Sequence, residues 1–185
     1  PNVTETIIYG LGALSIGAVV STASPDFAPH AVEDRFGQVE PKIFLAADGY
    51  NYNGKYFDCG EKSAEIEKLL PTLKKTVRIS QFDEWIKPFI GTAADYEQLP
   101  FDHPGFVLFS SGTTGRPKCI THSGAGVMLK AQSELLYQFN VTKGNKVFFF
   151  TTCGWMMWNW LTMALGRGAT IVLFDGAPMA PTPSR

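Results

Sequence analysis

The sequence lacks an excess of charge of either sign. Sixteen lysines and arginines stand against seventeen aspartates and glutamates, and the formal net charge of the 185 residues is -1. A strongly basic surface is what attracts nucleic acid or an anionic membrane over long distances. We therefore expect no nucleic-acid partner, and any phosphate group would have to be bound by a local set of hydrogen-bond donors.

Cysteines and unbroken apolar runs are also scarce. Cys59, Cys119 and Cys153 lie far apart and lack the C-x-x-C spacing of metal and redox sites. We predict three reduced thiols, no metal-ligating residues and a cytoplasmic location. The most apolar stretches, 6–20 and 147–174, are interrupted by glycines, so we expect no membrane span.

The two ends of the chain suggest a piece of a longer protein. Pro1 leads directly into an apolar stretch, and residues 178–185 are rich in proline. We expect the chain to be a fragment that packs against the missing remainder of its own polypeptide.

The pattern along the chain alternates between helices and strands. With 45% hydrophobic and 18% charged residues, the chain can bury a sizeable core. Periodicity predicts an α/β fold in which a layered, parallel sheet carries helices on both faces. The predicted helices cover 5–17, 29–38, 61–70 and a stretch capped by Ser123, and the predicted strands cover 18–22, 42–46, 76–80, 106–110 and 146–151, with another strand after a helix within 147–174. Residues 81–105 are expected to form a connection before the unit that carries the glycine-rich loop described next.

A glycine- and hydroxyl-rich segment follows the strand predicted at 106–110. Gly112 and Gly115 permit backbone angles that let successive N–H groups converge on an anion. Lys118 adds a full positive charge. Hydroxyl donors come from Ser110, Ser111, Thr113 and Thr114. The Walker pattern requires Gly-Lys-Ser/Thr in succession and does not match here. Composition alone leaves an ordinary surface loop as the alternative.

The segment 110–118, Ser-Ser-Gly-Thr-Thr-Gly-Arg-Pro-Lys, resembles the phosphate-binding signature of the adenylate-forming superfamily. This superfamily holds acyl-CoA synthetases, luciferases and peptide adenylation domains. Further segments, at 21–27, 34–36, 52–55 and 151–160, resemble the acetoacetyl-CoA synthetases within it. The resemblance covers nearly the whole chain and identifies 1–185 as part of the large amino-terminal, AMP-binding domain.

The resemblance implies a two-step ligase reaction. A carboxylate, here acetoacetate, would attack the α-phosphate of ATP with Mg²⁺ present, and coenzyme A would then displace AMP. The loop residues Ser110, Ser111, Gly112, Thr113, Thr114, Gly115 and Lys118 would hold the β- and γ-phosphates, with Lys118 also assisting catalysis. Two anions meet in this reaction, so fixed donors that act on the departing pyrophosphate would favour the transition state.

The aromatic segment 154–160 implies an acyl pocket. By resemblance, Trp155, Met156 and Met157 would line it, whereas Trp158 and Trp160 are expected to be core residues in an apolar helix.

Other polar residues carry weaker expectations. Lys55 falls where related enzymes carry a basic residue for coenzyme A, but a solvated loop lysine is the expected role. His122 could approach a nucleotide, and we rank it below the loop residues. His30 and His103 receive no role.

Two alternatives remain open at this stage. The acid could be acetate, propionate or a longer acyl chain, because only three pocket residues are visible. The chain could also belong to a truncated, non-catalytic protein that binds nucleotide. The family's adenine-binding segment, ribose-binding aspartate and adenylation lysine lie outside these residues, so we expect the 185-residue piece alone to be inactive.

Overall fold

The computed structural model describes residues 1–110 and 115–179. In these residues helices and strands alternate, which confirms the α/β class. The α-helices are α1 (Thr4–Ser15), α2 (Pro29–Phe36), α3 (Gly60–Leu69), α4 (Phe82–Ile86), α5 (Gly124–Tyr137) and α6 (Met156–Met163), with 3-10 turns at Ile79–Gln81, Lys87–Phe89 and Ala164–Arg167. The strands are β1 (Ile43–Ala46), β2 (Gly49–Tyr52), β3 (Lys55–Asp58), β4 (Lys75–Arg78), β5 (Pro104–Phe109), β6 (Cys119–Ser123), β7 (Lys146–Phe148) and β8 (Thr170–Val172).

Parallel and antiparallel strand pairs both occur. Strands β1 and β4 are parallel, with Ile43 opposite Lys75, and the connection between them includes α3. Strands β7 and β8 are also parallel, and α6 lies between them in the chain. These pairs have the strand-helix-strand order that the sequence predicted. Strands β5 and β6 are antiparallel, as are β2 and β3, so the expected parallel pairing holds for β1–β4 and β7–β8 and not for these two pairs.

The β2–β3 hairpin was not predicted. Asn53 and Gly54 both have positive φ, at 51° and 72°. Two successive residues of this kind form the tight turn whose twist matches that of paired antiparallel strands. The hairpin therefore follows from the Asn-Gly dipeptide, and Lys55 begins β3 as an exposed residue.

The strand expected at 18–22 is reduced to a single bridge. Val20 donates its N–H to the carbonyl of Gly105 at 2.8 Å and accepts from the N–H of Val107 at 3.0 Å. This pairs Val20 in parallel with Phe106 of β5. The segment lies beside β5 at one point only.

The connection expected at 81–105 is partly helical. It begins with α4 and the 3-10 turn Lys87–Phe89, after which residues 90–103 run as turns and irregular backbone to β5. Phe82 is almost fully buried and fixes the start of α4. The helix predicted after Ser123 is confirmed as α5, and the Ser123 hydroxyl accepts the N–H of Gly126 at 3.0 Å as its cap.

The core consists of three clusters of buried side chains. The first joins α5 and α6, where Leu135 and Leu161 are fully buried. The second joins α2 and α3 through Val32, Phe36, Ile66 and Leu70. The third contains Ile7, Cys153 and Trp158.

The third cluster ties α1 to α6 across almost the whole described chain. The indole N–H of Trp158 donates to Oδ1 of Asn2 at 3.0 Å in a buried hydrogen bond that joins residues 156 positions apart. The thiol of Cys153 contacts the carbonyl of Pro1 at 3.2 Å. Helix α1 is therefore placed by residues that come much later in the chain. Over residues 1–110 and 115–179, no helix has the length and apolar character needed to cross a bilayer.

Candidate functional site

The predicted phosphate loop connects the antiparallel strands β5 and β6. Phe109 and Cys119 form the last pair of this ladder. One step beyond it, the N–H of Ser110 donates to the carbonyl of Lys118 at 3.0 Å, and the N–H of Lys118 donates to the Ser110 hydroxyl at 3.1 Å. The two ends of the loop are thus held side by side. Ser111, Gly112, Thr113 and Thr114 lie outside the described residues.

The end of the loop that leads to β6 combines a glycine conformation with an exposed cation. Gly115 has φ +150°, a value that side-chain-bearing residues rarely adopt. Pro117 is buried, and Lys118 beside it is exposed. Across 1–110 and 115–179, Lys118 forms no ion pair with a carboxylate. Its charge is therefore available to an anionic ligand.

Helix α2 contacts this end of the loop. The Gln38 side-chain amide donates to the carbonyl of Pro117 at 2.8 Å. Arg116 Nε lies 3.5 Å from Oδ1 of Asp34 and donates to the Asp34 carbonyl at 3.2 Å. Asp34 and Gln38 were not among the residues that the sequence predicted for the site. No local signal marks this contact, because Asp34 and Arg116 are 82 positions apart.

The predicted acyl-pocket residues lie at the start of α6. Trp155 precedes the first helical residue and is 63% exposed, and Met156 is also exposed. Met157 is half-buried and packs against the first core cluster. Trp158 and Trp160 are only 3% and 8% exposed, which confirms their prediction as core residues.

Residues 20–24 connect the strand before the loop to the start of α6. On one side Val20 pairs with β5, and the Ser21 hydroxyl donates to the carbonyl of Val107 at 2.9 Å. On the other side the Thr22 hydroxyl donates to the carbonyl of Cys153 at 2.5 Å. A Cβ on Gly154 would lie 3.0 Å from the Ser24 nitrogen. The segment therefore fixes both predicted regions to one scaffold.

An open, mainly apolar cleft of about 890 Å³ lies on the molecule. Its walls come from α1, β1 and residues 18–25, among others. Neither Trp155, Met156 and Met157 nor the described loop residues line it. We therefore do not assign this cleft to ATP or to the acid.

His103 and His122 both lie in structural positions. His103 Nε2 lies 2.9 Å from the carbonyl of Gly17, a structural contact between two irregular segments. His122 pairs with Phe106 in the β5–β6 ladder. In the part of the chain that the structure describes, no cluster of histidine, cysteine and carboxylate side chains could hold a metal ion.

The cysteines are all free. Cys119 is exposed, and Cys59 and Cys153 are buried. Burial raises the pKa of the Cys153 thiol from 9.0 to about 11, because a thiolate there would lose its hydration. Cys153 is therefore an unreactive, neutral core residue at neutral pH.

Comparison with known proteins gives consistent results. A family model described as AMP-binding enzyme matches residues 1–185. The chain is 43% identical to the acetoacetyl-coenzyme A synthetase of Rhizobium meliloti, with 98% of this chain and 30% of the relative aligned. It is 39% identical to the acetoacetyl-CoA synthetase of Gallus gallus, with 100% of this chain and 31% of the relative aligned.

A solved structure shows the same relationship. The acetoacetyl-CoA synthetase of Streptomyces lividans superposes with a TM-score of 0.90 at 37% sequence identity, and the match covers 98% of this chain and 30% of that one. The chain thus spans about 30% of the length of the relatives that it matches.

Proposed function

The chain belongs to the AMP-binding enzyme family, and we propose that it is part of an acid:CoA ligase. This ligase would activate acetoacetate with ATP and then transfer the acetoacetyl group to coenzyme A. The names of the relatives support acetoacetate over acetate, propionate or a longer acid. Residues 1–185 would be part of the amino-terminal adenylation domain. The complete protein, and not this piece, would carry out turnover.

The observation that carries the proposal is the closure of the loop between Ser110 and Lys118. In the first step an oxygen of the acetoacetate carboxylate bonds to the α-phosphorus of ATP. The bond from that phosphorus to the oxygen shared with the β-phosphate breaks, and pyrophosphate leaves. The loop donors, from Ser110 to Gly115, would hold the β- and γ-phosphates. Lys118 would stabilise the negative charge that collects on the departing group, where a fixed charge lowers the barrier.

The described residues fit the nucleotide better than they fit a metal ion. Among the described residues, the Ser110 hydroxyl keeps its own O–H to donate, and the Lys118 ammonium forms no ion pair, so both groups suit phosphate oxygens. Since the described part of the chain contains no cluster of metal ligands, Mg²⁺ would bind mainly through the phosphates and through residues beyond this piece. When bound, Mg²⁺ neutralises phosphate charge.

For the acid, we propose that Trp155, Met156 and Met157 bound the acyl pocket. Their support is the position of Trp155 before α6, with its side chain exposed while the neighbouring Trp158 and Trp160 are buried. Coenzyme A would be the substrate of the second step. We do not assign Lys55 to its binding site. The free cysteines support a reducing, cytoplasmic environment.

The test uses the complete protein that carries this sequence. Without coenzyme A, acetoacetate should support exchange between pyrophosphate and ATP, and addition of coenzyme A should yield AMP and acetoacetyl-CoA. Acetate, propionate and hexanoate are the competing acids. Binding of ATP without exchange for any acid would favour a non-catalytic nucleotide-binding protein and refute the proposal.

A further inference from the structure

The end of α2 holds the phosphate loop through a side chain that serves two carbonyls. Gln38 follows the helix, and its amide nitrogen donates to the carbonyl of Asp34 at 2.6 Å and to the carbonyl of Pro117 at 2.8 Å. Carbonyls in the last turn of a helix have no partner within the helix. Gln38 therefore satisfies one of them and, with the same nitrogen, fixes the loop backbone.

Arg116 reinforces this contact. Its Nε donates to the same Asp34 carbonyl at 3.2 Å and lies 3.5 Å from the Asp34 carboxylate. A positive charge at the carboxyl end of a helix interacts favourably with the helix dipole. Both side chains are more than half exposed, so the ion pair itself adds little to stability. Its effect is to orient the backbone between Gly115 and Lys118.

The same helix also contacts the other end of the loop. The ring of Phe36 packs against that of Phe109, the last residue of β5, with 6.4 Å between centroids. Phe36 is buried in the second core cluster and also packs edge-on against Phe44 of β1. Both ends of the loop are therefore fixed to α2, and through α2 to the core.

We propose that Gln38 is a positioning residue for phosphate binding and acts through the backbone of Pro117 and Lys118. The inference rests on the proposed function of the loop. A binding loop that is held before its ligand arrives loses less conformational freedom on binding, which raises affinity. Loss of the Gln38 contact should therefore weaken ATP binding in particular and leave the acid site unchanged.

The decisive variant is Gln38→Met in the complete protein. Methionine has nearly the same length but cannot donate, so it removes both hydrogen bonds without opening a large space. We expect the KM for MgATP to rise about 3- to 10-fold, as for the loss of a neutral hydrogen bond. The KM for acetoacetate should stay within about 2-fold, and the melting temperature should change little because Gln38 is exposed.

Two further variants sharpen the result. Gln38→Glu keeps the shape, lacks the donor and should raise the KM for MgATP at least as much as Gln38→Met. His30→Ala changes an exposed side chain at the other end of α2 whose hydrogen-bond partner among the described residues is Glu33. This control variant should keep the wild-type KM for MgATP and the wild-type KM for acetoacetate.

The outcomes separate the inference from the proposed function. If the complete wild-type protein shows no pyrophosphate exchange with any acid, the proposed function fails and this inference fails with it. If the wild type is active but Gln38→Met keeps the wild-type KM for MgATP, or raises both KM constants equally, only the positioning role is overturned. A selective rise in the KM for MgATP supports it.

Discussion

Replacement of Trp155 by alanine in the complete protein tests whether the start of α6 bounds the acyl pocket. Trp155 is 63% exposed in this structure, whereas Trp158 and Trp160 are 3% and 8% exposed. Truncation of an exposed side chain usually changes the free energy of unfolding by no more than about 0.5 kcal/mol. Trp160→Ala, the matched control within α6, should cost about 3 to 5 kcal/mol because it empties a core position.

The preference among acids should change in Trp155→Ala and not in Trp160→Ala, which is the opposite of the effect on stability. If Trp155 limits the length of the acid, the alanine variant gives a longer acid room to make apolar contact. Each methylene that is newly buried contributes about 0.8 kcal/mol, or roughly a 4-fold gain in kcat/KM. Butyrate and hexanoate should therefore improve relative to acetoacetate in Trp155→Ala.

The assay compares kcat/KM for acetoacetate, butyrate and hexanoate and adds a thermal melt of each variant. An unchanged order of acids together with a melting temperature as low as that of Trp160→Ala would show that Trp155 is a packing residue. The pocket assignment would then be abandoned.

Three further predictions follow from the same structure. Lys118→Ala in the complete protein should lower kcat by roughly 10² to 10³, as for the loss of one preorganised donor, and an unchanged kcat in a folded variant would show that Lys118 faces solvent throughout the reaction. Because burial raises the pKa of Cys153 to about 11 from 9.0, the unfolded chain loses that proton first as the pH rises. The contribution of the neutral Cys153 thiol to the free energy of unfolding should therefore be fully present below pH 9 and be lost between pH 9 and 11. In thermal melts, a Cys153→Ala variant should lack this part of the pH dependence. A Cβ on Gly105 would lie 2.6 Å from the Gly124 Cα, whereas one on Gly12 in α1 would meet nothing within 4 Å. Gly105→Ala should therefore lower the free energy of unfolding by about 1 to 3 kcal/mol, and Gly12→Ala should raise it by up to about 1 kcal/mol. Equal melting temperatures for the two variants would contradict this packing.

The helices were the most predictable part of the fold. Apolar residues recur at helical spacing in α5, and the Ser123 cap bond confirms where it begins. The β2–β3 hairpin has an equally local cause, because the Asn53-Gly54 dipeptide favours a tight turn between antiparallel strands. Strand β6 was not predicted, because it is only five residues long and forms by pairing with β5 across the loop.

The sequence could suggest which residue types form the candidate site, but it could not show which distant residues hold them in place. The glycines and hydroxyls of residues 110–115 and the nearby Lys118 made an anion-binding loop a hypothesis, and the resemblance of the whole segment to a known signature favoured it over an ordinary surface loop. The contact from Gln38 to Pro117 joins residues 79 positions apart, and no local pattern encodes it. The single bridge at Val20 has the same origin, since a strand exists only where a distant partner is present.

The buried bond from Asn2 to Trp158 has a consequence for synthesis of the protein. Because a ribosome adds about 5 to 20 residues each second, the partner of Asn2 would emerge roughly 8 to 30 seconds after it. During that interval α1 cannot bury Ile7 against Cys153 and Trp158. The docking of α1 is therefore expected to be a late and slow event, because contacts between residues that are distant in the sequence form slowly.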